Sequence, residues 1–168
     1  GIVSSDSVKV AYVPVNSDGN INYSQVNVGG EYPFSNDANA WNNNGLTTDG
    51  KLLVINVDCT NAGNTVSLQG CKIDGKDPHN WNQVANSVIW NFYRETDGSY
   101  SSYTGTINYN GGLGTILAPN ATVSCTASTN GSVIARTVAH PSCEIHHIKV
   151  TEYADTIERN VACGNEPV

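Results

Sequence analysis

The sequence predicts an all-β domain, and three observations carry that prediction. Short apolar runs recur from Leu52 onward, each bounded by turn-forming residues. The turn signals are explicit: Asp74-Gly75, Asp97-Gly98, Asn110-Gly111-Gly112 and Asn130-Gly131 all offer residues that tolerate positive φ. Only 14% of the 168 residues are charged and 39% are hydrophobic, so polarity rests on Asn, Ser, Thr, Gly and Tyr, a palette suited to turns and pleated surfaces.

Taken in chain order, Val8 to Val15 places Val8, Val10 and Tyr12 on one face before Pro14 interrupts the ladder, which predicts an edge strand or an extended arm. Asn16 to Gly50 is dominated by Asn, Gly, Ser and Asp and is expected to be irregular, with one short strand near Gln25 to Val28. Residues 1–50 thus read as an arm plus an Asn/Gly-rich segment, and 51–168 as the β domain, together within the size of one domain. Strands are expected at Leu52–Val57, Thr65–Leu68, Val88–Tyr93, Gly105–Tyr109, Thr115–Leu117, Ala121–Cys125, Ser132–Arg136 and Glu144–Val150. Trp90 alternates with Val88 and Phe92, which puts all three on the core face of one strand. Helix is confined to a turn or two at Trp81–Ser87 and Tyr153–Val161.

Charge and hydropathy exclude several classes of partner. The formal net charge is −7 and the few Lys and Arg are scattered, so the basic patch that nucleic acid needs is missing. No apolar stretch approaches the roughly 18 residues of a membrane span. The first residues lack a signal peptide's basic and hydrophobic regions, so a secreted chain would be read here in mature form.

The 5 cysteines are too dispersed for a zinc site and make no CxxC. Disulfides are the expected reading, in an extracellular setting, with reduced core cysteines as the alternative. Neighbour pairing gives Cys59–Cys71 and Cys125–Cys143, one of the open connectivities, and leaves Cys163 for an intermolecular bond or a free thiol. Sequons at Asn22, Asn120 and Asn130 sit beside turn-forming residues and are expected to carry glycans.

From Val88 to Ile148 the chain carries VIWNF (Val88–Phe92), GTILAPNATV (Gly114–Val123), GSVIART (Gly131–Thr137) and EIHH (Glu144–His147), with LLVINVD (Leu52–Asp58) ahead of them. In that order these motifs resemble the choice-of-anchor A domain, a family of extracellular surface proteins related to ice-binding-like adhesins. The likeness covers roughly Leu52 to Ile148; the family's usual opening segment is not recognisable in Gly1–Gly50, and it assigns none of the cysteines. The resemblance implies a β-solenoid-like, ice-binding-like fold and a role in surface display or adhesion, with no catalytic residues to transfer. A β-sandwich is the alternative fold.

No cofactor, catalytic residue or metal site is expected. There is no G-x-S-x-G, H-E-x-x-H or P-loop. His140, Glu144, His146 and His147 have ligand chemistry, but successive strand residues face opposite ways, so His146 and His147 do not share an ion easily. The functional expectation is a non-enzymatic extracellular adhesive or structural protein, in its sharper form a fibre or pilus-like subunit that self-associates by donating the Val8–Val10–Tyr12 strand to a neighbour. The alternative is a displayed adhesin or carbohydrate-binding module in which Trp41, Trp81, Tyr100 and Tyr103 stack on sugar rings. Ice binding would require a flat Thr-rich array, of which Thr104 and Thr106 supply one pair.

Overall fold

A computed structural model describes residues 7–28, 46–77, 83–139 and 143–148. Among the described residues ten strands form one curled mixed sheet, a half-barrel. They are β1 (Val8–Pro14), β2 (Asn27–Val28), β3 (Leu52–Asp58), β4 (Thr65–Leu68), β5 (Val88–Thr96), β6 (Ser99–Ser102), β7 (Thr106–Leu113), β8 (Thr115–Asn130), β9 (Val133–Ala139) and β10 (Ile145–His146). Among the described residues the only helical turns are 3-10, at Tyr23–Gln25 and Gln83–Ser87. The all-β expectation therefore holds, and the strands share one sheet, not the two packed sheets of a sandwich.

Most pairings are parallel, and they form runs of neighbours in register. In one run β1 pairs β3, β3 pairs β5, β5 pairs the start of β8, and β8 pairs β9. In a second run β4 pairs β7, β7 pairs the middle of β8, and β8 pairs the end of β9. The 16-residue β8 belongs to both, and its last residues also pair β10. From sequence β8 reads as two strands, Thr115–Leu117 and Ala121–Cys125; the structure joins them through a register shift between Ala118 and Thr122.

Parallel register stacks like residues on like, which is why a core forms. Ala11, Ile55, Trp90 and Ile116 align on the inner side, as do Val66, Ile107 and Val123, and each is at most 1% exposed. Burying each large apolar side chain contributes roughly 1.5–3 kcal/mol. Trp90 keeps its one polar atom satisfied, with Nε1 donating to the Leu113 carbonyl at 2.7 Å. The β5–β6 hairpin turns at Asp97 (φ 49°) and Gly98 (φ 77°), the positive-φ pair its sequence announced.

The amino-terminal strand is not an arm. β1 lies between β2 and β3, paired with β3 along its whole length, and Ala11 and Val13 enter the core while Val10 and Tyr12 stay half-buried on the other side. Thus Val8, Val10 and Tyr12 belong to a strand satisfied within its own chain, because seven aligned residue pairs supply the hydrogen bonds that a donated strand would otherwise seek.

Candidate functional site

The outward side of the second parallel run carries a cavity of about 440 Å³. Alternation along β4 sends Val66 and Leu68 inward and leaves Thr65 and Ser67 outside. The same alternation on β7 buries Ile107 and Tyr109 and turns Asn108 and Asn110 outward. Ser67, Gln69, Asn108 and Asn110 make the floor, with Thr126 of β8 beside Asn110.

The wall comes from the loop after β1. Ser67 N–H donates to the Gly19 carbonyl at 2.8 Å, and Asn20 bridges to Ser67 in parallel fashion. This approach needs glycine: Gly19 has φ 84°, and a Cβ there would stand 2.5 Å from the Thr65 carbonyl oxygen. Beyond it Ile21 and Tyr23 close the rim, Tyr23 donating its hydroxyl to the Gln69 carbonyl.

Every polar group lining the cavity is an amide, a hydroxyl or backbone, and none is charged. The Asn20 side chain reaches Asp18, whereas those of Ser67 and Asn108 take no hydrogen bond from other described residues, which leaves their donors and acceptors to whatever enters. Burial pushes the Tyr23 phenol well above its ordinary range, with the nearby Cys71 and Tyr109 adding to the effect, so it stays neutral. Asp18, just outside, is held below the usual carboxylate range by hydrogen bonds from Asn20. The cavity has no carboxylate, imidazole, amine or thiol among its lining side chains. It can hold a neutral polar ligand by hydrogen bonds and by the face of Tyr23.

None of these residues stood out in the sequence. The apolar-polar alternation in Thr65–Leu68 and Thr106–Tyr109 marks their outward residues, but it does not say that the two strands are neighbours.

The residues expected from sequence fall elsewhere. Trp41, Trp81, His140 and Cys163 lie outside the described residues. Tyr103 is buried, lies beneath the Arg94 guanidinium at 4.8 Å and donates to the Gly63 carbonyl at 3.2 Å, so it offers no face to a sugar. Its serine-rich surroundings suggested exposure, whereas the cation over its ring completes the burial. Tyr100 is 72% exposed on β6, with Tyr93 at 5.8 Å, and does not line the cavity.

Among the sequons, Asn120 is exposed at the β8 shift. Asn22 is half-buried, with Nδ2 donating to Asn16 and Gln25 at 3.2 Å. Asn130 is 1% exposed with its Oδ1 at 3.0 Å from His146 Nδ1, so the fold withdraws this amide from a glycosylating enzyme. His146 also meets Glu144 at 2.9 Å, and His147 turns instead to Ser132 at 2.8 Å. The two imidazoles thus serve separate partners.

Cys59, Cys71, Cys125 and Cys143 are present as thiols. Cys125 and Cys143 are within side-chain hydrogen-bonding reach of each other. Cys59 and Cys71 have different surroundings: Cys59 neighbours Arg94 and Tyr103, and Cys71 neighbours Tyr23 and Tyr109. Burial pushes the Cys59, Cys71 and Cys125 thiols up to about 12, in each case as the largest cause.

The fold is thus a curled sheet with a hydrophobic inner side and, on the outer side of its second run, an uncharged cavity lined by amides and hydroxyls. The chain matches the family model described as "Putative Ice-binding-like adhesive domain" over residues 1–147, and it belongs to that family. The match includes the amino-terminal segment, where the sequence motifs had not been recognisable. Membership implies extracellular or surface display and binding to a surface ligand. No curated protein and no solved structure matches the chain.

Proposed function

We propose that this is a non-enzymatic adhesive domain displayed outside the cell, and that it holds a carbohydrate group of its surface ligand in the cavity between β4, β7 and the Asn20–Tyr23 loop. The observation that carries the reading is the cavity lining, which combines the open side chains of Ser67 and Asn108 with further amides and hydroxyls, an aromatic rim and no charge. That combination suits sugar hydroxyls, which need paired donors and acceptors in a neutral setting. The parallel runs are read as successive coils of a solenoid, each burying its inner residues against the next. Neighbouring thiols favour a Cys125–Cys143 staple in an oxidising compartment.

The test is adhesion of beads coated with the domain to cells and to immobilised cell-wall carbohydrate. Asn108→Ala combined with Ser67→Ala should lower attachment at least tenfold while the circular dichroism spectrum is unchanged. Equal attachment by the double variant would remove the cavity from the account.

Fibre formation is a second reading, favoured by Val138. This residue continues the inner Val66–Ile107–Val123 column, yet it is 41% exposed, because β9 ends the run among the described residues. A second copy adding a strand along β9 would cover it. Val138→Lys should then abolish filaments in negative-stain images, and filaments unaffected by it would dismiss this edge.

A further inference from the structure

The register of the second parallel run aligns Thr65 with Thr106, Thr106 with Thr122, and Thr122 with Thr137. These threonines flank the inner Val66, Ile107, Val123 and Val138, so they share the outer side, one above another at the interstrand spacing of about 4.8 Å. Beside them runs a second outward column of Asn20, Ser67, Asn108 and Ser124, paired in the same way. Its first three members line the cavity. The two columns and the cavity therefore form one continuous strip, running across the strands and free of charged side chains.

We propose that this strip is a track for an extended, neutral polysaccharide chain, with the cavity seating one ring and the threonine column following the chain onward. The proposal rests on the adhesive reading above and names its ligand class. Three features favour a chain over a single terminal sugar. The column repeats, as a polymer's hydroxyls repeat. It spans roughly 14 Å from Thr65 to Thr137 at three interstrand steps, longer than one ring. Each Thr presents a methyl beside its hydroxyl, so each step combines an apolar patch with one donor and two acceptor sites. Neutrality of the ligand follows from charge: the protein carries −7 overall while the strip itself offers no cation, so an anionic glycan would gain no partner and meet net repulsion.

The experiment measures binding of the intact chain to mannan, laminarin and chitin oligosaccharides of increasing length, with heparin as the anionic comparison. Affinity for one neutral series should rise with chain length to a plateau and be absent for heparin. Thr106→Val with Thr122→Val keeps shape and strand preference but removes two hydroxyls. It should weaken the longest oligomers about tenfold or more, since each neutral hydrogen bond is worth roughly 0.5–1.5 kcal/mol, and leave the shortest oligomers unchanged. Asn108→Ala should instead weaken all lengths equally.

Binding independent of length, or full affinity in the threonine double variant, would overturn the track while bead adhesion could still stand. A thermal-hysteresis response with no binding to any neutral series would also overturn it, transferring the threonines to ordered water. Loss of bead adhesion by the unaltered domain would instead remove the adhesive reading beneath it.

Discussion

The two parallel runs use one register principle to opposite ends. Outside the first run, Val10, Val54, Ile89 and Thr115 align, and exposure falls to 9% at Ile89 and 3% at Thr115. Outside the second, Thr65, Thr106, Thr122 and Thr137 align and stay open or half-open. Register puts one residue of each strand into every outward column, and the two columns differ in how far they are covered. The covered side holds the sheet together with the core behind it; the open side contributes little to stability and can be given over to a ligand.

The largest effect expected from this contrast is at Ile89. Ile89→Asp places an unpaired charge under the covered side and should cost about 3 kcal/mol or more in a urea titration. An effect below about 1 kcal/mol would mean that the side is open after all.

The corner where the chain passes into β9 comes next. Gly131 has φ 138°, and a Cβ there would stand 2.1 Å from the Gly114 carbonyl oxygen, on the glycine at the start of β8. Gly131→Ala should therefore cost roughly 1–3 kcal/mol, which the same titration reads.

A single chemical change at two threonines sharpens the contrast further. Thr115 Oγ1 is buried and finds no hydrogen-bond partner among the described residues, so Thr115→Val should stabilise by up to about 1 kcal/mol. Thr122→Val, on the open side, should shift stability by less than about 0.5 kcal/mol and be felt only in binding. Reversal of that order would break the assignment of sides.

The smallest effect is with pH. Between about pH 5 and 9 no lining group of the cavity titrates, since Tyr23 is held neutral, and affinity should be flat. Stability behaves differently above that window. The Cys59 and Cys71 thiols are raised from 9.0 to about 12 by burial, so their protonated native forms are fully favourable below pH 9. That contribution is lost as pH rises from 9 towards 12, because the unfolded chain releases these protons first. Thermal melts at stepped pH would show the decline, and a flat profile would count against buried thiols.

Much of the scaffold could be read from residues. Asp97-Gly98 announced its hairpin, VIWNF its buried Trp90, and Leu52–Asp58 its strand, because each signal is local and rests on turn chemistry or alternation. The candidate site was not readable for the opposite reason. Thr65, Thr106, Thr122 and Thr137 stand at unequal intervals along the chain, and only the lengths of the intervening loops bring them into register. The Thr104–Thr106 pair that the sequence offered is no array, since Thr104 precedes β7 and has no place in the ladder. Tyr103 was misjudged because a polar neighbourhood in sequence says nothing about a guanidinium arriving from β5.

On the proposed reading, the uncharged cavity on a chain of net charge −7 also governs how attachment responds to its medium. Cell surfaces are commonly anionic, so approach is opposed at a distance while the contact itself carries no ionic bond. Salt shortens the reach of that opposition, to about 8 Å at physiological strength and about 3 Å at 1 M. Attachment to an anionic surface therefore tightens as ionic strength rises, the reverse of an adhesive built on lysines, and the bond once made is indifferent to brine.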